Sequence, residues 1–299
     1  MTYKTHVREL SLRGHFFESP RYHQGYWYVS DFYSGQILRI DDKGVAEVVI
    51  EIEGQPSGIG WFSDGTMVFA SMKDHSLYCF DGEKIYLFAD LSLFCGGLLN
   101  DIWVTKDDLV YCANFGFDFD GRDDPREADL ILVDRGGNAR VCASGLKFPN
   151  GIVTIDDGAT LVVAETLGND LVTFAIRSDG TLESGKRSVV YGDEVVFGDF
   201  FSTMEQLKVT PDGIAGLGDD LIYVADPRGG LVHASTIGGD SEVVLDLGRH
   251  ESPFAVAVSD SGDQLSMLVC VAPDSNPKRR RLTTDAKLLL VEIVDPILK

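Results

Sequence analysis

Four side chains in this sequence combine oxygen chemistry with a common setting. Glu18 stands in FFESP, Asn100 in LLNDIWV, Asn150 in FPNGIVTI and Asp212 in TPDGIAGL. Each heads a short apolar run that reads as a strand. Two carboxylates and two carboxamides are hard oxygen donors, the set that suits Ca2+, Mg2+ or Mn2+. Taken singly, Asn-Gly and Asp-Gly are ordinary turn formers. Glu18 before Ser-Pro is not turn chemistry, however, and four oxygen donors at matching places are hard to attribute to turns alone.

The elements that would position them repeat along the chain. A short strand, a polar turn, a second strand ending in a small or acidic residue, another turn and a third strand recur six times, with heads at Glu18, Ser57, Asn100, Asn150, Asp212 and Phe254. Repeats of three or four strands at this period predict radial blades. The expectation is an all-β, six-bladed β-propeller filling residues 1–299 as one domain, with a central metal site. Its first strands would line the channel, so the heads of different blades converge near the axis. Both ends, THVRELSLRG and AKLLLVEIVD, read as strands that pair in one closing blade and remove an exposed sheet edge. No segment carries a sustained helical period.

Composition narrows the partners. Forty-seven acidic against 26 basic residues give a net charge of −21, a field that repels phosphate backbones and anionic lipid. Nucleic acid and membrane are therefore not expected partners, and no apolar stretch approaches the length of a membrane span. The start of the chain has no apolar signal region, and five scattered cysteines without a CxxC fit free thiols in a reducing, cytoplasmic setting.

Other signals are weaker. DFDGRDD, residues 118–124, lacks the glycine position and closing Glu of an EF-hand loop and reads as a solvated acidic loop, from which Asp118 could reach the mouth of the channel. PKRRRL, residues 277–282, reads as a solvated basic run in a hairpin loop. GQPSG around Ser57 misses the spacing of a nucleophile elbow, and the histidines show no HxH or HExxH. His15, three residues before Glu18, is the one histidine placed near the donors.

FFESP, LLNDIWV, FPNGIVTIDDGATLVVAET and TPDGIAGLGDDLIYVAD, in that order over nearly the whole chain, resemble the family of regucalcin, gluconolactonases and luciferin-regenerating enzyme. The resemblance implies a six-bladed propeller with one divalent metal, calcium first and zinc, magnesium or manganese as alternatives. It implies Glu18, Asn150 and Asp212 as ligands, with Asn100 beside the metal and facing substrate. It also implies lactone hydrolysis, in which the metal polarises the carbonyl and Asp212 serves as general base for water.

One departure bears on substrate. Sugar-lactone members often carry an Arg two residues before the substrate-facing Asn, and this chain has Leu98. Phe16, Phe17 and the aromatic insertion at 196–204, a candidate lid, would add apolar surface at the mouth. The expected substrate is a small cyclic ester that is not a simple sugar lactone, bound against Asn100, Leu98, Phe17 and Asp118. Two alternatives share the scaffold: a metal-dependent isomerase, lyase or cyclase, and a non-catalytic calcium-binding propeller.

Overall fold

The computed structural model describes residues 4–260 and 265–294. Six four-stranded antiparallel sheets account for its strands. The first blade contains β1 (Phe17–His23), β2 (Tyr26–Asp31), β3 (Gln36–Ile40) and β4 (Ala46–Glu51). The second runs from β5 (Pro56–Trp61) through β6 (Met67–Ser71) and β7 (Ser76–Phe80) to β8 (Ile85–Asp90). The third holds β9 (Leu99–Val104), β10 (Val110–Asn114), β11 (Ala128–Val133) and β12 (Ala139–Leu146). The fourth holds β13 (Pro149–Ile155), β14 (Thr160–Glu165), β15 (Asp170–Ala175) and β16 (Lys186–Val190). The fifth holds β17 (Ile214–Leu217), β18 (Leu221–Asp226), β19 (Leu231–Thr236) and β20 (Ser241–Asp246).

The sixth blade closes the ring. β21 (Ser252–Asp260), β22 (Leu265–Ala272) and β23 (Ala286–Ile293) are joined by β24, the N-terminal strand Thr5–Gly14, which pairs antiparallel with β23 from Thr5↔Ile293 to Gly14↔Ala286. The expected pairing of the ends is therefore present. The first strand of each blade touches the first strand of the next, and β21 touches β1. The strands around the axis thus form a complete circuit.

Burial follows this radial order. β5 and β13 are almost wholly buried, whereas the outermost strands β4 and β8 expose half or more of their residues. Apolar side chains from adjacent blades fill the space between sheets; Val153, Val162 and Leu171 of the fourth, for example, pack with Ile214, Ile222 and Val224 of the fifth. All five cysteines are free, with Cys79, Cys112 and Cys270 buried and Cys95 and Cys142 partly so. Among the described residues, no helix is long and apolar enough to cross a membrane.

One turn-forming pair proves to lie in a strand, and one local expectation is corrected. Asn150 and Gly151 do not form a turn: both lie inside β13. Gly151 is needed because a Cβ there would stand 2.6 Å from Asp212 O and Ile214 N of the next blade. Gly213 is needed likewise, with Ala255 Cβ at 2.4 Å. The basic run is also not wholly solvated. Pro277–Arg280 forms a short helix, and Arg280 is fully buried, its Nη1 donating to Asp285 at 2.5 Å.

Candidate metal centre and active site

Glu18, Asn100, Asn150 and Asp212 line a single cavity of about 240 Å³ at the end of the channel. Glu18, Asn100 and Asn150 come from the starts of β1, β9 and β13, and Asp212 from the segment that enters β17. In β1, β9 and β13 the pairing register slips at the donor. Glu18↔Ser30 is followed by Arg21↔Tyr28, Leu99↔Asn114 by Ile102↔Cys112, and Pro149↔Glu165 by Ile152↔Val163. Each step advances three residues on the inner strand against two on its partner, which is a β-bulge. Bulges re-aim side chains, so these donor positions depart from simple strand alternation.

The cavity is electrostatically demanding. All four donor residues are under a tenth exposed. Burial raises the Glu18 carboxyl to about 8, and the Asp101 charge pushes the same way against the Ser19 N–H and Arg21. Asp212 is likewise raised well above the ordinary range, first by burial and then by the Glu18 charge, against a hydrogen bond from Asn150. Asn150 Nδ2 also donates to Thr166 Oγ1 at 3.1 Å, and that hydroxyl donates to Pro211 O at 2.8 Å. Asn100 Nδ2 is buried without a hydrogen-bond partner.

A divalent cation fits this arrangement. Two buried carboxylates, both raised by burial and one also by the other's charge, gain most from a positive charge between them. The nearby Arg21 is occupied by Asp101, with Nη2 to Oδ1 at 2.7 Å. Among the described residues, no group of three or more His, Cys, Asp and Glu side chains is arranged to hold a metal. The donor set here would therefore depend on its two carboxamides as well as its two acids.

The remaining walls are largely apolar. Leu98, Phe16, Phe115, Phe148 and Phe254 line the cavity. The insertion at 196–204 contains an unforeseen helix, α1 (Phe200–Gln206), capped by Asp199, which accepts from the N–H groups of Phe201 and Ser202. Met204 of α1 reaches the cavity, and Phe200 packs on Phe119 at 5.6 Å between ring centroids.

Two residues expected at the mouth lie elsewhere. Phe17 is 1% exposed and packs against Gly14, where an added Cβ would meet its ring at 2.4 Å; Phe16 lines the cavity instead. Asp118 is exposed and closes its own turn by accepting the Gly121 N–H at 2.8 Å; Asp120 is the loop's acidic cavity-lining residue. His15 also looks away, its Nδ1 hydrogen-bonded to Arg280 O at 2.9 Å. Sequence reasoning missed Asp101 and Thr166, although each lies inside a motif it did use.

Comparison with known proteins is consistent with this architecture. Residues 16–268 match the model of the SMP-30/Gluconolactonase/LRE-like region. The fold is similar to that of a gluconolactonase from Xanthomonas campestris, with TM-score 0.71, 15% identity, and 97% of this chain and 90% of that one covered. It is equally similar to a calcium-binding regucalcin from Agrobacterium tumefaciens, with TM-score 0.71, 17% identity, and coverage of 95% and 93%. A luciferin-regenerating enzyme gives TM-score 0.71 at 11% identity, covering 96% and 95%. No curated protein sequence matches significantly. With the family match extending over most of its length, the chain belongs to the SMP-30/gluconolactonase/LRE-like family.

Proposed function

We propose that the protein is a divalent-cation-dependent lactonase that opens an apolar cyclic ester. The observation that carries this reading is the joining of four oxygen donors from four blades in one cavity whose other walls are mainly aromatic and aliphatic. Glu18, Asn150 and Asp212 would hold the cation, with Asn100 beside it. A bound cation, calcium in first place, supplies Lewis-acid polarisation of the ester carbonyl and makes water easier to deprotonate.

The chain's own groups supply the rest. Asp212 accepts a proton from the attacking water, and oxygen adds to the ester carbon. The ring C–O bond then breaks, and Asp212 returns the proton to the departing alkoxide, so no external acid is needed. Asn100 Nδ2, buried and unpartnered, is a donor suited to a substrate oxygen. Leu98 and the phenylalanines hold the apolar part of the ring and keep bulk water from it.

The test is turnover of a lactone panel with product masses, first in EDTA and then after refilling with Ca2+, Zn2+, Mn2+ or Mg2+. Hydrolysis adds the mass of one water, and activity should vanish in EDTA and return with a cation. A product of unchanged mass would replace this reading with an isomerase, lyase or cyclase. Undiminished turnover in EDTA with metal-free protein would remove the cation from it.

A further inference from the structure

The four blades that deliver oxygen donors share a second feature. In each, the last residue of the second strand is a buried polar side chain that accepts a backbone N–H from just upstream of the donor. Asp31 accepts from His15 N at 2.9 Å and Phe16 N at 3.0 Å, ahead of Glu18. Asn114 Oδ1 accepts from Gly96 N at 3.2 Å, ahead of Asn100. Glu165 Oε1 accepts from Lys147 N at 2.6 Å, ahead of Asn150. Asp226 Oδ1 accepts from Thr210 N at 3.0 Å, ahead of Asp212.

The register is shared as well. Asp31, Asn114 and Glu165 stand opposite Phe17, Leu99 and Pro149, each the residue immediately before a donor. Asp226 directly follows Ala225, whose carbonyl accepts the Asp212 N–H at 3.0 Å. The other two blades differ. In the second blade Ser71 opposes Pro56, but its hydroxyl donates to Asp74 at 2.6 Å; in the sixth, Val271 and Ala272 end the second strand.

We infer that Asp31, Asn114, Glu165 and Asp226 are positioning residues for the cavity donors, a deeper statement of the proposed cation site that rests on that reading. The bulges at Glu18, Asn100 and Asn150 forgo regular ladder bonds there. A buried acceptor bonded to the entering backbone fixes each donor's Cα where strand pairing alone does not. Asp31 uses both carboxylate oxygens for this, and Asn114 Oδ1 also accepts from Gly116 N at 3.0 Å, tying the segment that enters β9 to the one that leaves β10. Such outer-shell partners typically tune metal affinity by about 10–100-fold.

The test uses the full chain and calcium, with terbium luminescence as a second probe. Asp31→Ala, Asn114→Ala, Glu165→Ala and Asp226→Ala should each weaken calcium binding by about 10–100-fold. Ser71→Ala, in a blade without a donor, should leave the calcium Kd within about twofold of wild type, the size of an additivity error. Glu165→Gln keeps its acceptor and should recover most of the affinity, Asp31→Asn keeps one acceptor of two and should recover part, and both serve where an alanine variant does not fold. Calcium affinities that merely track the loss of cation-free Tm, Ser71→Ala included, would overturn the inference. If wild type binds neither calcium nor terbium, the cation reading fails by itself. Amide hydrogen exchange at residues 18, 100, 150 and 212 then decides: faster exchange confined to the altered blade supports positioning, and unchanged exchange overturns it.

Discussion

Arg21 Nη2 lies 2.7 Å from Asp101 Oδ1, and both side chains are largely buried beneath the donor cavity. Glu18 lines the cavity, whereas Arg21, three positions along the same strand, lines the groove at its other end. Arg21 also donates to Ile102 O at 2.8 Å, and Ser19 Oγ donates to Asp101 at 3.3 Å. The pair therefore ties the first strand of the first blade to that of the third. Asp101 is a third carboxylate whose charge raises both Glu18 and Asp212, and Arg21 opposes it at Glu18.

Removing Arg21 should make folding depend on cation. Breaking a buried pair from one side costs about 3–5 kcal/mol, because the remaining charge is left without compensation. Arg21→Met should show a loss of that order in urea denaturation with EDTA. Calcium should recover part of it, since the freed Asp101 adds negative potential to the site. An equal loss with and without calcium would separate the pair from the donor cavity.

Altering the donors should separate binding from chemistry. Glu18→Gln and Asp212→Asn should both lower cation occupancy, measured by metal analysis of the purified variants. At saturating cation Asp212→Asn should retain the larger defect in kcat, on the order of 10²–10⁴-fold, because it also removes the base. Full metal content and activity in both variants would place the site elsewhere.

A pH effect follows from Glu165. Burial, reinforced by the hydrogen bond and charge of Asp170, raises its carboxyl from the ordinary 4.5 to about 8, against the Lys147 N–H. The native state thus holds a proton that the unfolded chain has already released. Between pH 4.5 and about 8 this group makes stability fall as pH rises. Glu165→Gln removes that titration while keeping an acceptor for Lys147. Its stability relative to wild type should improve by at least about 1 kcal/mol from pH 5 to pH 9, read from denaturation midpoints at each pH. A constant difference would show that Glu165 does not titrate in this window.

The parts of this arrangement that were legible in the sequence are those that repeat. Blade period, end pairing and the common place of the four donors all depend on pattern across repeats, and a pattern survives local irregularity. Single positions do not. Phe16 and Phe17 are chemically identical neighbours, and only the placement of the turn before β1 decides which one meets the cavity. Asn150-Gly151 has the composition of a turn, yet its glycine answers the close approach of the next blade, a contact between distant segments. Arg280 sits in a basic run, but Asp285 and Asp274 approach it and permit burial, with Asp274 Oδ1 at 3.6 Å from Nε. The acidic or amide ends of second strands were visible as composition; their hydrogen bonds to the donor segments were not.

Substrate preference should turn on Leu98. Its side chain lines the cavity and packs against the cluster containing Phe16 and Phe254, where a sugar-binding relative of the expected kind would place a guanidinium. A guanidinium offers paired, charged hydrogen bonds to sugar oxygens, and a leucine offers none. An apolar wall discriminates by only about 1–3 kcal/mol per methylene, so the expected signature is a graded preference among alkyl and aryl lactones with weak action on gluconolactone. Leu98→Arg should lower kcat/KM for the apolar substrates, because it puts a guanidinium that must be desolvated among the phenylalanines that hold the apolar ring. The same change should narrow the gap to gluconolactone by adding the missing donor. Measuring kcat/KM for both substrate types in both proteins checks the argument, and a wild-type preference for gluconolactone would overturn it.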